Sequence, residues 1–167
     1  VLAGFTLIMI GNDYDQGLQA VNRAREINPN IAFVTFLAGA ALIICDRAEE
    51  GLKCVEAAIR VSPGDPGAFF FYSAAALAHL CCDRPEEALE YATRSESIYA
   101  GWDTTYRIMA SALVRLERID EAVAAVARLL ELAPGLTVSG LRERWPLRNK
   151  DKLEMILDGL RRAGLPE

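Results

Sequence analysis

The sequence contains a single histidine, His79, and this scarcity restricts the chemistry that the chain can perform. The histidine falls in the middle of a predicted helix. No glycine-flanked turn presents a serine or cysteine nucleophile that it could activate. The G-x-G-x-x-G pattern is also missing, and so is the phosphate-binding loop that ends in Gly-Lys-Ser/Thr. We therefore expect no catalytic site and no cofactor within these 167 residues.

Cysteines are few, and their spacing favours neither disulfides nor a metal site. The chain has four, Cys45, Cys54, Cys81 and Cys82, with no C-x-x-C pair among them. A zinc site built from Cys81, Cys82 and His79 is conceivable, but structural zinc sites use four well-spaced ligands. Because no secretory feature is visible, we expect free, buried thiols in a reducing cytoplasm and no bound metal.

Long apolar runs and excess positive charge are missing as well. The longest apolar stretch, residues 31–45, is shorter than the roughly 20 residues that a membrane-spanning helix needs. The net charge is −5, and residues 1–139 carry 11 basic against 18 acidic groups. An acidic chain is a poor ligand for nucleic acid. We expect neither a membrane nor a nucleic-acid partner, and a cytoplasmic location. The first residue, Val1, lies inside the first predicted hairpin, so we expect the chain to be part of a larger protein.

What the sequence does contain is a fixed period. A two-helix pattern recurs four times over residues 1–135, and three independent series of landmarks follow it. Small residues mark the first helices (Gly4, Gly39, Ser73, Ala110) and the second helices (Gly17, Gly51, Ala88, Ala122), and Pro29, Pro63, Ala100 and Pro134 mark the ends of the units. One extra residue near Asn12 fits in a turn. A fixed period indicates hairpins that stack side by side and share a core.

The pattern predicts eight helices in four hairpins and two more helices near the C-terminus. No run alternates between apolar and polar residues, so strands are not expected. Asp83, followed by Pro85 and Glu86, has the pattern of a helix N-cap. Acidic pairs such as Glu49-Glu50 stand at second-helix starts, where they favour the helix dipole without catalysis. The predicted helices are 1–10, 13–27, 31–45, 48–61, 66–81, 85–98, 103–116, 119–132, 137–145 and 151–163.

The 34-residue unit, with a small residue in each helix and a closing proline, resembles the tetratricopeptide repeat (TPR) family. The clearest units are 30–63 and 101–134. Thr35 replaces the usual large aromatic residue in the second unit, and Gly17 and Gly51 replace the usual alanine. The resemblance implies an all-α, right-handed superhelix with units at about 1–29, 30–63, 64–100 and 101–134. Residues 136–167 would then form capping helices.

The same resemblance implies an inner groove, lined by the first helices, that binds an extended peptide or a partner helix. In the first three units this groove would be apolar, and in the fourth it turns polar and basic. Lysine, arginine and asparagine are missing from the first three first helices, so we expect no clamp for acidic chaperone tails. The predicted lining comprises Phe5, Ile8, Met9, Phe33, Phe36, Ala40, Ile43, Ile44, Phe70, Ala74, Leu77, Thr104, Arg107, Ser111 and Arg115.

A helix that is apolar on all sides has to be covered. The candidates are a protein or peptide partner, other domains of the same protein, or a second copy of the chain. The alternative is a tightly wound array that fills its own groove. At the C-terminus, the basic residues of 142–162 would form the solvent-exposed side of the capping helices, with a basic binding patch as the rival interpretation.

The C-terminal tail carries a second resemblance, over residues 136–144 and 159–167. These stretches are similar to the tails of bacterial proteins that join TPR arrays to a class III adenylate/guanylate cyclase domain. Similar tails also follow winged-helix transcription regulators. The resemblance implies a regulatory, protein-binding module of a cytoplasmic signalling protein, and the first candidate for that protein is a nucleotide cyclase. The alternatives are the sensor arm of a transcription regulator and a self-associating scaffold.

Overall fold

Ten helices form the regular structure in a computed structural model that describes residues 1–11, 13–28 and 30–167. No strand occurs in this described part, so the all-α prediction is confirmed. All predicted helices are present, and their ends lie within two residues of the predicted ones. Pro29 and the extra residue near Asn12 lie outside the described residues. The helices are α1 (Leu2–Met9), α2 (Tyr14–Ile27), α3 (Ala32–Ile44), α4 (Ala48–Val61), α5 (Ala68–Cys81), α6 (Pro85–Ile98), α7 (Asp103–Arg115), α8 (Ile119–Leu132), α9 (Val138–Arg144) and α10 (Lys150–Arg162).

The first eight helices stack as successive hairpins. Within each hairpin the two helices pack on each other, as in α3 with α4, and each second helix also packs on the next first helix, as in α4 with α5. The first helices α1, α3, α5 and α7 contact one another in that order along one side. Such nearest-neighbour packing defines a helical solenoid. It buries α3 from Phe36 to Ile44 without interruption, which accounts for the apolar run in the sequence.

Close backbone approach inside the first two hairpins explains their glycines. A Cβ atom added to Gly51 would lie 2.5 Å from the carbonyl oxygen of Gly39, and one added to Gly39 would lie 2.7 Å from the carbonyl oxygen of Gly51. Gly4 and Gly17 oppose each other in the same way. Real Cβ atoms do not tolerate such distances, so alanine does not fit there without movement of a helix. The two series of small residues that mark the first and second helices therefore meet in these hairpins.

The turns between the paired helices of the second, third and fourth hairpins share one backbone conformation. Asp46, Asp83 and Glu117 have positive φ angles of 69°, 61° and 59°. After Asp83, the N–H group of Arg84 donates to the carbonyl oxygen of His79 at 3.0 Å, and this bond satisfies a carbonyl group in the last turn of α5. The prediction that Asp83 caps α6 is therefore wrong. Arg84 is the N-cap residue and gives no side-chain cap, because Asp83 is already used in the left-handed turn that ends the preceding helix.

The C-terminal helices turn back along the array. The amphipathic helix α10 buries Leu153, Ile156, Leu157 and Leu160 and packs on α7. Its contact with α7 is close: the Ser111 hydroxyl donates to the carbonyl oxygen of Ile156 at 2.8 Å. Side chains cap both C-terminal helices, Thr137 for α9 and Asn149 for α10.

The link between α9 and α10 reaches the second hairpin. The N–H group of Arg148 donates to the carbonyl oxygen of Ile44 at 2.9 Å, and Lys152 pairs with Asp46 at 2.6 Å. Arg148 also pairs with Asp15 at 3.2 Å, and Arg142 pairs with Glu154 at 2.7 Å. These basic residues are thus engaged by carboxylates of the same chain. The C-terminal segment lies across the inner side of the solenoid as well as at its end.

Candidate binding site

A cavity of about 800 Å³ lies against the inner side of α1, α3, α5 and α7. We call it the inner cavity. One wall is made by these first helices, and the facing wall is made by residues that follow α8. Its lining on the first helices comprises Phe5, Met9, Phe33, Phe36, Leu37, Ala40, Ile44, Phe70, Ser73, Ala74, Leu77, Thr104, Arg107 and Ile108.

The facing wall was not predicted. Residues 133–136, Leu141 and residues 144–146 belong to the segment that turns back across the solenoid, and Trp102, directly before α7, also lines the cavity. The segment after α8 lies at or beyond the end of the last repeat unit, so the 34-residue period does not reveal it. Its one signal in the sequence is that the two tryptophans, Trp102 and Trp145, stand at none of the periodic landmark positions.

The structure brings most of the predicted groove residues together and separates a few. Of the fifteen, eleven line the inner cavity: Phe5, Met9, Phe33, Phe36, Ala40, Ile44, Phe70, Ala74, Leu77, Thr104 and Arg107. Ile8 and Ile43 do not, because they point between paired helices, against Gly17 and Gly51. Ser111 is buried under α10. Arg115 pairs with Asp83, which lies in the turn between α5 and α6. Toward the fourth hairpin, fewer first-helix residues therefore line the groove than the sequence predicts.

A row of aromatic rings runs along the first-helix wall. Phe33 and Phe36 have ring centroids 5.8 Å apart, Phe36 and Phe70 are 6.4 Å apart, and Phe70 and Trp102 are 4.9 Å apart. We call these four residues the aromatic row. Phe36 also packs on the buried Phe71 at 4.8 Å, which anchors the row in the core. At the α1 and α3 end the row opens to solvent, with Phe33 44% exposed.

Positive charge is concentrated at the other end of the cavity. Arg107 is ion-paired with Asp103, its guanidinium lies 5.6 Å from the centroid of the Trp145 ring, and its side chain is 17% exposed. The Arg107 Nε–H group is buried and has no hydrogen-bond acceptor. Burial lowers the pKa of Arg107, Asp103 opposes this shift, and Arg144 adds to it. Arg144 donates from Nε to the carbonyl oxygen of Gly140 at 3.1 Å.

The groups considered for catalysis or metal binding lie apart from the inner cavity. His79 is buried beside Tyr91, with ring centroids 4.9 Å apart, and burial lowers its pKa. Burial raises the pKa of Cys81 to about 12 and of Cys45 to about 11, so both thiols stay protonated near neutral pH. Within residues 1–11, 13–28 and 30–167, no group of three or more His, Cys, Asp or Glu side chains could hold a metal ion.

The stacked hairpins and the inner cavity define a helical solenoid of the TPR type. Solved structures with this arrangement include MamA, at 13% identity and a TM-score of 0.65, with 92% of this chain and 88% of MamA covered. MamA from Desulfovibrio magneticus RS-1 is 20% identical with a TM-score of 0.64, covering 77% and 71%. YrrB, a TPR protein with an unusual peptide-binding site, is 19% identical with a TM-score of 0.59, covering 95% and 80%. At such identities the likeness establishes the fold alone.

Comparisons of the sequence, unlike those of the structure, find no match. No protein-family model matches the chain, and no curated protein matches it. Among the helices of the described residues, none is long and apolar enough to cross a membrane. The inner cavity is the feature of the chain that points to a function.

Proposed function

We propose that the chain is a protein-interaction module that binds an apolar segment of a partner protein at the open end of the inner cavity. The observation that carries this proposal is the exposed start of the aromatic row. Phe33 is 44% exposed and Met9 is 39% exposed, and both line the cavity. Large apolar side chains that stand together at the mouth of a concave surface are typical of recognition sites.

The first helices supply a rigid platform for such a segment. Phe36 and Leu77 are buried beneath the surface, so the wall keeps its shape without a partner. A preformed site avoids the entropy cost of ordering on binding. In this proposal a side chain of the partner covers Phe33 and Phe70, and the polar rim at the turns of the hairpins stays in water.

Our finer proposal concerns the protein to which the module belongs. The tail resemblance supports the C-terminal region of a cytoplasmic bacterial signalling protein with an adenylate/guanylate cyclase domain. In this proposal residues 1–135 form the repeat array, residues 136–167 form capping helices, and partner binding biases the orientation or dimerisation of the attached domain. The sensor arm of a winged-helix regulator is the second candidate, supported by the same tail. The gene sequence upstream of Val1 distinguishes them, since a cyclase shows metal-binding aspartates and a regulator shows a basic recognition helix.

Phe33→Glu tests the docking site. Peptides selected from a displayed random library on the wild-type chain should bind it, and the affinity of the selected peptides for F33E should fall at least tenfold, because a carboxylate replaces an apolar anchor. Fluorescence anisotropy with labelled peptides measures the affinity. Phe36 is unsuitable for this test. Its side chain is 7% exposed and packs on Phe71, so a glutamate there would unfold the chain.

Val123→Glu is the matched control. Val123 is 48% exposed on α8 and does not line the inner cavity, so the same change in charge and size leaves the site intact. Equal peptide binding by wild type and V123E, with loss in F33E, supports the proposal. If the selected peptides bind F33E as tightly as wild type, the docking site lies elsewhere.

A further inference from the structure

We propose that the inner cavity binds a long-chain carboxylate, a small amphiphile of the fatty-acid class. In this inference its carboxylate pairs with Arg107 and Arg144, and its hydrocarbon chain lies along the aromatic row. The inference goes beyond partner binding at the cavity mouth and does not depend on it. Three observations carry it: the volume of the partly covered cavity, the sign of the charges that line it, and its length.

The inner cavity is partly covered on the side that faces away from the first helices, and it stays partly open to solvent. Residues 133–136, Leu141 and residues 144–146 face the first helices across it. This wall is fixed at its far end by the backbone bond from Arg148 to Ile44 and by the pair of Lys152 with Asp46. A volume of about 800 Å³ lies within the range of small-molecule sites, which is about 300–1,000 Å³. A small ligand therefore fits this space.

The charges that line the cavity have one sign. Arg107 and Arg144 are its only ionisable lining residues in the described part of the chain, and no carboxylate lines it there. Asp103 pairs with Arg107, and the Nε–H group of Arg107 is buried below the cavity surface. Arg144 is exposed, forms no ion pair among the described residues and bonds only a backbone oxygen, so its guanidinium is the one open to a ligand. A guanidinium pairs with a carboxylate through charge-assisted hydrogen bonds. Charge complementarity thus selects an anion.

The aromatic row sets the length of the ligand. The row crosses α3 and α5 and ends at Trp102, beside α7, where Arg107 lies. Packed helices are separated by about 8–10 Å, so two spacings cover roughly 16–20 Å. A fully extended sixteen-carbon chain, with bonds of about 1.5 Å, is roughly 19 Å long. The walls along this path are mostly alanine, leucine and phenylalanine side chains, which match hydrocarbon, and Ser73 and Thr104 are the uncharged polar residues among them.

The chain carries its own reporter for this test. Trp102 and Trp145 are its only two tryptophans, and both line the inner cavity. We would titrate the purified chain with hexadecanoate below its micelle concentration and follow tryptophan fluorescence. Displacement of the anionic dye 1-anilinonaphthalene-8-sulfonate gives a second readout. Saturable binding of one hexadecanoate per chain is expected, with hexadecan-1-ol at least tenfold weaker because it lacks the charge.

Two arginine variants and one control decide the result. Arg144→Gln should weaken hexadecanoate at least fivefold without change for hexadecan-1-ol, and Arg107→Gln should do the same. Arg107 is largely buried and paired with Asp103, so R107Q could fail to fold. Arg144 is exposed, so Arg144→Gln keeps the test valid in that case. Arg128→Gln removes an exposed arginine that pairs with Glu131 outside the cavity, and it should bind like wild type.

Each remaining outcome counts against the inference. Absence of saturable binding overturns it, and so does equal affinity for the acid and the alcohol, which would mark an unselective apolar space. Unchanged hexadecanoate binding in R144Q and R107Q would place the carboxylate elsewhere. The titration uses no partner protein, so its failure leaves peptide binding at Phe33 untouched, and failure of the F33E test leaves this inference untouched.

Discussion

Replacing Gly51 by alanine tests the close helix contact that the small residues make possible. Helix propensity alone predicts that the change stabilises the chain by about 1 kcal/mol, because glycine is the poorer helix former. The structure predicts the opposite sign. The new methyl carbon would lie 2.5 Å from the carbonyl oxygen of Gly39 and 2.6 Å from Cγ1 of Ile43.

The size of the effect follows from these distances. An ordinary contact begins at 3.4 Å, so α3 and α4 have to separate by about 0.9 Å. The obstructing atom is a backbone oxygen, which has no rotamer to change. Overpacking costs typically about 1–3 kcal/mol, and a backbone contact belongs at the upper end. After the gain in propensity, we expect Gly51→Ala to lower the free energy of unfolding by about 2 kcal/mol, or the melting temperature by about 4–8 °C.

Chemical unfolding followed by far-UV circular dichroism measures this difference. Ala124→Gly is the control, since Ala124 is exposed in the middle of α8 and reports propensity alone. It should cost about 1 kcal/mol. If Gly51→Ala instead raises stability by the same amount, the two helices do not approach as closely as described, and our explanation of the glycine series is refuted.

Two further predictions concern ionisable groups. The hydrogen bond from Lys152 lowers the pKa of Asp46 below 3.8. The pair is partly exposed and should stabilise the fold by about 0.2–1 kcal/mol above roughly pH 5. This contribution is lost as the pH falls through the folded pKa. Asp46→Asn, which tolerates the positive φ angle, should cost this amount at neutral pH and nothing at about pH 2 in denaturant titrations; a constant difference would contradict the pairing. Because burial raises the pKa of Cys81 to about 12, iodoacetamide near neutral pH should leave Cys81 unmodified in the folded chain and alkylate it after unfolding, as mass spectrometry would show. Rapid labelling of Cys81 in the folded chain would rule out its burial.

The helices could be predicted from the sequence because each is specified locally. The small residues at Gly39 and Gly51 recur at the spacing that two packed helices need, and Pro63 follows a helix end where it does no harm. The face of α10 that carries Leu153 and Leu160 has helical periodicity, which needs no knowledge of the rest of the chain. The Asp83 cap failed for a related reason: a capping pattern and a left-handed turn residue draw on the same amino acids, and only the backbone shows which of them the chain uses.

The site was predicted only in part. Phe33, Phe36 and Phe70 could be assigned to the inner wall because the period places them on first helices. Ile43 was misplaced, since one residue along a helix rotates a side chain by about 100°, and this is enough to turn it from the cavity into the hairpin. Ser111 was misplaced because the helix that covers it lies outside the repeat.

The order of apolar and small residues along the chain settled by itself that helices form, where they begin and end, and that neighbouring hairpins nest. These are contacts between segments close in sequence, and their spacing records them. The path of the C-terminal segment was decided only in three dimensions, by Arg148 reaching Ile44 and by α10 settling on α7. No periodicity encodes contacts between such distant parts of the chain. Only the folded chain reveals that the C-terminal segment partly covers the groove and that Arg107, Arg144 and Trp145 lie together there.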